Sequence, residues 1–162
     1  MHSLEIEKLF QEYKDVCDFV TVYISEAHPK EGWTLGHPQN AELGAKWDVS
    51  QPKSTEQRME VAREWVAHLR ELGVTHPYHA DTITNQARFD FAALPERLYV
   101  VEGGVVQFRG SKGPWGYHPE EVQAWLQTRF PGIKPVISTE ADATALPPDP
   151  RDHVADAAAA AK

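Results

Sequence analysis

The stretch PERLYVVEGGVVQFRG, residues 95–110, decides the fold. Two runs rich in Val, Tyr and Phe flank a Gly103-Gly104 pair, and a Gly-Gly step supplies the positive φ angles of a two-residue hairpin turn, so an antiparallel hairpin is predicted. After it, GSKGPWG (110–116) reads as a glycine-rich turn, and PEEVQAWLQTRF (119–130) as a helix opened by Pro119 at its first position. Before it, NQARFDFAAL (85–94) reads as a short helix and PYHADTI (77–83) as a short strand. STEQRMEVAREWVAHLRELG (54–73) carries a capping box, Ser54 with Gln57, an apolar stripe from Met59 to Leu72 and a terminating Gly73. DFVTVYI (18–24) is β-branched and aromatic, as a central parallel strand buried on both faces would be. SLEIEKLFQEYKDV (3–16) has three- and four-residue apolar spacing behind a Ser3 N-cap, predicting a helix.

The resulting order is helix, strand, helix, short strand and helix, hairpin, helix. It resembles the thioredoxin-like α/β fold, a mixed sheet flanked by helices, with its first strand missing. That resemblance implies a cis bond at Pro95, which otherwise reads as a strand-start proline. Residues 29–53, rich in Gly and Pro, form a long loop of the kind that carries binding segments. After Lys134 the composition turns to Ala, Asp, Thr and Pro and ends in AAAAAK, so residues 1–134 read as the folded domain and 135–162 as a disordered tail.

Composition narrows the function. The 162 residues carry 16 basic and 24 acidic side chains, a net charge of −8, and no clustered basic face suits a nucleic-acid backbone. No apolar run approaches a membrane span and the first residues lack a signal-peptide layout, so a cytoplasmic protein without nucleic-acid or membrane partners is expected. A single cysteine, Cys17, excludes a disulfide framework within this chain, and its place before a strand suits a small buried filler better than a nucleophile. HPYH (76–79) brings His76 and His79 together without a third ligand nearby, so no metal site is read.

EAHPKEGW (26–33) is the candidate site. It follows DFVTVYI directly, and the carboxyl ends of strands in open α/β sheets are where ligands and chemistry collect. The segments VYISEAHPKEGW (22–33) and ALPERLYVVEGGVVQFRGSKGPWGYHPEEVQAWL (93–126), with STEQR (54–58) and DTITN (81–85), resemble the iodothyronine deiodinases.

The resemblance implies reductive removal of iodine from an iodothyronine-type aromatic by a selenocysteine or cysteine. It needs no bound cofactor and takes its electrons from a thiol reductant. The nucleophile would fall just upstream of Met1, so no activity is expected of the chain as written, and a homodimer is left open. A second family histidine aligns with Pro52.

Carried onto this sequence, the resemblance makes His28 the proton donor and Glu26 its orienting partner, a pairing that suits acid catalysis near neutral pH. Glu96, Lys112, Trp33 and Pro95 are the substrate-binding candidates. Glu96 beside Arg97 reads equally as a surface ion pair and Lys112 as a solvated lysine, while Trp33 and Trp115 suit an aryl pocket or plain packing. The alternatives in function are a peroxiredoxin-like thiol reductase and a non-enzymatic thioredoxin-fold binding module.

Overall fold

The computed structural model describes residues 2–32 and 49–137. Trp33, the middle of the long loop and the tail beyond Ile137 lie outside the described residues. The elements are α1 (His2–Tyr13), β1 (Thr21–Tyr23), α2 (Thr55–Glu71), β2 (Tyr78–Ala80), α3 (Gln86–Asp90), β3 (Tyr99–Glu102), β4 (Val105–Arg109) and α4 (Pro119–Arg129). They fall into two compact units, Met1–Asp18 with Pro95–Lys162, and Phe19–Leu94.

In the first unit, α1 packs on α4. Ile6, Leu9 and Tyr13 fall three and four residues apart on the buried stripe of α1, and Val122 and Leu126 do the same on α4. Full burial of one such side chain contributes about 1.5–3 kcal/mol, so this stripe outweighs the helix's weak intrinsic stability. Tyr13 also lies 6.4 Å from Phe130, centroid to centroid. Helix α1 begins at His2, which puts Ser3 inside the first turn and corrects the expected N-cap.

β3 and β4 pair antiparallel around Gly103 (φ 61°) and Gly104 (φ 79°), the two left-handed residues a tight hairpin turn requires. The register slips between Val100 and Val101, a bulge in this ladder. Pro119 opens α4 as expected. Beyond that helix the Gln123 side chain, 1% exposed, accepts from the amides of Val136 and Ile137, both at 2.7 Å, and donates to the Ile137 carbonyl at 2.9 Å. Packing therefore reaches Ile137, beyond Lys134.

In the second unit, β1 and β2 pair in parallel, Val22 opposite His79. Val20 and Val22 are 61% and 40% exposed, so β1 is not buried on both faces. Among the described residues its one ladder partner is β2, and only the Thr21 and Tyr23 face is partly covered.

Helix α2 carries the capping chemistry its sequence announces: Ser54 Oγ accepts from the Gln57 amide at 3.2 Å, while Gln57 Oε1 accepts from the Lys53 amide at 2.8 Å. At the other end Gly73 (φ 85°) turns the chain, and Arg70 donates to the carbonyls of Val74 and His76. Met59 and Leu72 face solvent, and the buried positions of the helix are Arg58, Ala62 and Leu69. The architecture is mixed α/β of the thioredoxin-like class.

Candidate active site

Glu26 stands three residues past the end of β1, where the chain leaves the ladder. Its backbone is held by one side chain: Gln51 Oε1 accepts from the Glu26 amide and Gln51 Nε2 donates to the Glu26 carbonyl, each at 3.0 Å. Two further bonds close the same loop ends, from the Lys30 amide to the Val49 carbonyl (2.9 Å) and from the Gln51 amide to Glu31 Oε2 (3.1 Å). The long loop is thus stitched shut beside the site, and Glu26 is fixed in main chain before its side chain is considered.

That side chain is largely withdrawn from water. Burial raises the Glu26 carboxyl to about 7, only partly offset by the Arg58 guanidinium. Its Oε1 is buried with no hydrogen-bond partner among the described residues, as are Ser25 Oγ and Tyr23 OH nearby in sequence. A carboxyl held near neutrality can both give and take a proton at physiological pH, which an ordinary surface glutamate does poorly. His28 is half-buried in the same turn, so both predicted proton-handling residues lie within three positions at the end of β1.

Arg58, on the first turns of α2, is 1% exposed. It donates through Nη1 to the carbonyls of Asp81 and Thr82 and through Nη2 to Asn85 Oδ1 at 2.9 Å. Asp81, also buried, caps α3 by accepting from the amides of Ala87 (3.2 Å) and Arg88 (3.0 Å). Asn85 adopts a left-handed φ of 59° and so aims its amide back at Arg58.

Sequence reasoning passed over Gln51, Arg58, Asp81 and Asn85. One signal was there: Arg58, Ala62 and Leu69 share a helical stripe, which places a charged residue at a buried position.

Beside Gln51 an open groove of about 410 Å³ is lined by Glu31, Gln51, Pro52, Gln57, Glu60 and Val61, among others. Pro52, where the resemblance would place a histidine, is buried in this wall. His76 is fully buried, accepts or donates at 3.0 Å with Thr21 Oγ1, and stacks on Tyr78 at 4.7 Å, so its ring serves the β1–β2 ladder.

The remaining candidates belong to the other unit. The Glu96 carbonyl accepts from the Gly113 amide at 3.0 Å, which brings Glu96 against the turn that carries Lys112. Lys112 is exposed and its carbonyl accepts from the Gly116 amide at 3.1 Å. Pro95 is half-buried, but the cis bond expected there is not found: among the described residues the cis peptide is Gly113–Pro114. Pro95 lies in a bend four residues ahead of β3, where the trans default meets no opposing constraint. Trp115 is 67% exposed, and Trp33 lies outside the described residues. Cys17 is half-buried with Sγ donating to the Tyr13 carbonyl at 3.5 Å, and burial raises its thiol, the opposite of what a nucleophile needs.

A strand-end glutamate with a raised carboxyl, on a thioredoxin-like α/β frame, is the site these residues define. The comparison with known proteins narrows this. The family model for iodothyronine deiodinase matches residues 2–130, and the chain belongs to that family. It is 34% identical over 125 residues to the type I iodothyronine deiodinase of Xenopus laevis, covering 77% of this chain and 45% of that protein. With the thyroxine 5-deiodinases of Bos taurus and Homo sapiens it shares 31% identity over 121 residues, 75% of this chain and 36% of theirs. The chain spans less than half the length of these relatives.

Proposed function

We propose that this chain is the proton-donating part of a reductive deiodinase acting on iodinated aromatics of the iodothyronine type. The observation that carries this reading is Glu26, a half-buried glutamate whose carboxyl is raised to about 7 at the end of β1, in a chain of this family. A selenolate or thiolate encoded upstream of Met1 takes iodine from the ring. The carbon–iodine electron pair stays on carbon, a proton from the Glu26–His28 turn completes the aryl C–H bond, and a dithiol then reduces the iodinated chalcogen, releasing iodide. Giving Glu26 the proton rather than an orienting role follows from its burial, and His28 stands beside it in the turn. Glu96, Lys112, Pro95 and Trp33 remain the candidates for holding substrate, with Lys112 suited to a carboxylate. A reducing, cytoplasmic setting agrees with a chain whose one thiol is shielded. Among the described residues no helix is long and apolar enough to cross a membrane.

The test is iodide release from an iodinated phenol with a dithiol reductant, using the protein extended by its upstream coding sequence. Loss of at least a hundredfold in Glu26→Gln, with Cys17→Ser unchanged, is expected, as general acids typically contribute ~10²- to 10⁴-fold. No iodide from the extended protein, or a stop codon in place of an upstream Cys or selenocysteine codon, would select the binding module instead.

A further inference from the structure

Two orphaned atoms of opposite character sit on the same corner of the second unit. Among the described residues, Arg58 Nε is a buried donor without a hydrogen-bond partner, and Glu26 Oε1 is a buried acceptor without one. Unpaired buried polar atoms are rare because each forfeits its hydration, so a complementary pair calls for an explanation.

Two independent routes through the backbone lead to this corner. The Asp81 amide donates to the Tyr23 carbonyl at 2.8 Å, and the Asp81 carbonyl accepts from Arg58, which ties the guanidinium to the exit of β1. On the other side Gln51 grips Glu26 three residues before Ser54, the cap of the helix that carries Arg58. Among the described residues, the charged groups that face Arg58 are Asp81, Arg88 and Glu26, and the one that faces Glu26 is Arg58.

We propose that Arg58 is a positioning residue for Glu26: its Nη groups are spent on the Asp81–Asn85 turn, and its Nε–H is held in reserve to receive the Glu26 carboxylate once the proton has left. The inference rests on Glu26 as the proton donor. When Glu26 passes its proton to the aryl carbon, the negative charge created on the carboxylate arises beside a guanidinium that is already anchored. The guanidinium itself need not move, since its Nη groups already hold it, and only the Glu26 carboxylate has to close onto Nε–H; a charge fixed in advance lowers a barrier most. Reprotonation of Glu26 from solvent then frees Nε–H again. A lysine at this position could not hold both the turn and the carboxylate, because its ammonium lacks the planar fork.

The 162-residue chain suffices for the test, which needs no turnover. Follow the Arg58 Nε–H resonance by ¹H–¹⁵N NMR from pH 5 to 9 in the wild type and in Glu26→Gln. The expected result is a sigmoidal shift in the wild type whose midpoint matches the Glu26 carboxyl carbon, and a flat profile in Glu26→Gln. In Arg58→Met the carboxyl midpoint should rise by about one pH unit, as expected for removing a nearby opposite charge. A static Nε–H signal in the wild type overturns the proposal, as does one that still titrates in Glu26→Gln. Failure of iodide release leaves these readings intact and bears on the deiodinase reading alone.

Discussion

Glu96 fills the space that a side chain at residue 113 would need: a Cβ added to Gly113 would run into Glu96 Cγ and lie 2.9 Å from Oε1. The glycine is therefore a steric requirement of its neighbour. Gly113→Ala should destabilise by about 1–3 kcal/mol as overpacking does, and the loss should shrink by at least about 0.5 kcal/mol in a Glu96→Ala background. A double-mutant cycle of urea midpoints measures the coupling, and strict additivity would separate the two residues.

The raised Glu26 carboxyl has a signature in stability. The folded state binds this proton more tightly than the unfolded chain, so stability falls as pH climbs from the ordinary carboxyl value of about 4.5 to about 7, and the loss is complete above that. Glu26→Gln removes the charge, and relative to wild type it should be on the order of 1–2 kcal/mol more stable at pH 8 than at pH 5, after a discount for partial solvation. Urea melts of both proteins at the two pH values give the difference, and equal shifts at both would place Glu26 in water.

Gln123 binds the chain after α4 through three hydrogen bonds. Gln123→Leu leaves the buried Ile137 amide and carbonyl and the half-buried Val136 amide unpaired and should cost about 2–4 kcal/mol. Ending the chain after Ile137 should leave the thermal midpoint where it is, and ending it after Lys134 should lower it by several degrees, because Ile137 is 8% exposed. Identical midpoints for the two truncations would show that this segment adds nothing.

Ala92 follows α3 with φ 45°, a left-handed conformation that a Cβ disfavours. Ala92→Gly should stabilise by roughly 0.5–1 kcal/mol, a gain partly offset by the added freedom of the unfolded chain. Chemical denaturation tests the sign.

What could be read from the sequence was local. The Gly-Gly hairpin, Pro119 at the start of α4, and Ser54 and Gly73 at the ends of α2 each follow from the chemistry of a few adjacent residues. So does the placement of Glu26 and His28 past β1. What escaped was long-range: Gln51 meets Glu26 across 25 positions and Arg58 meets Asn85 across 27, and no periodicity records such pairings. DFVTVYI misled for a related reason, since β-branched composition reports strand tendency while burial depends on what covers the face. The exposed Val22 is the result.

The four bonds that draw residues 26–31 to residues 49–51 have an evolutionary consequence. Closing a long excursion at its base costs an entropy that grows only slowly with its length. The chain between the two ends can therefore be lengthened, shortened or rewritten at little energetic expense, while the proton-bearing turn stays anchored by Gln51. Sequence change inside that excursion leaves the grip of Gln51 on Glu26 in place.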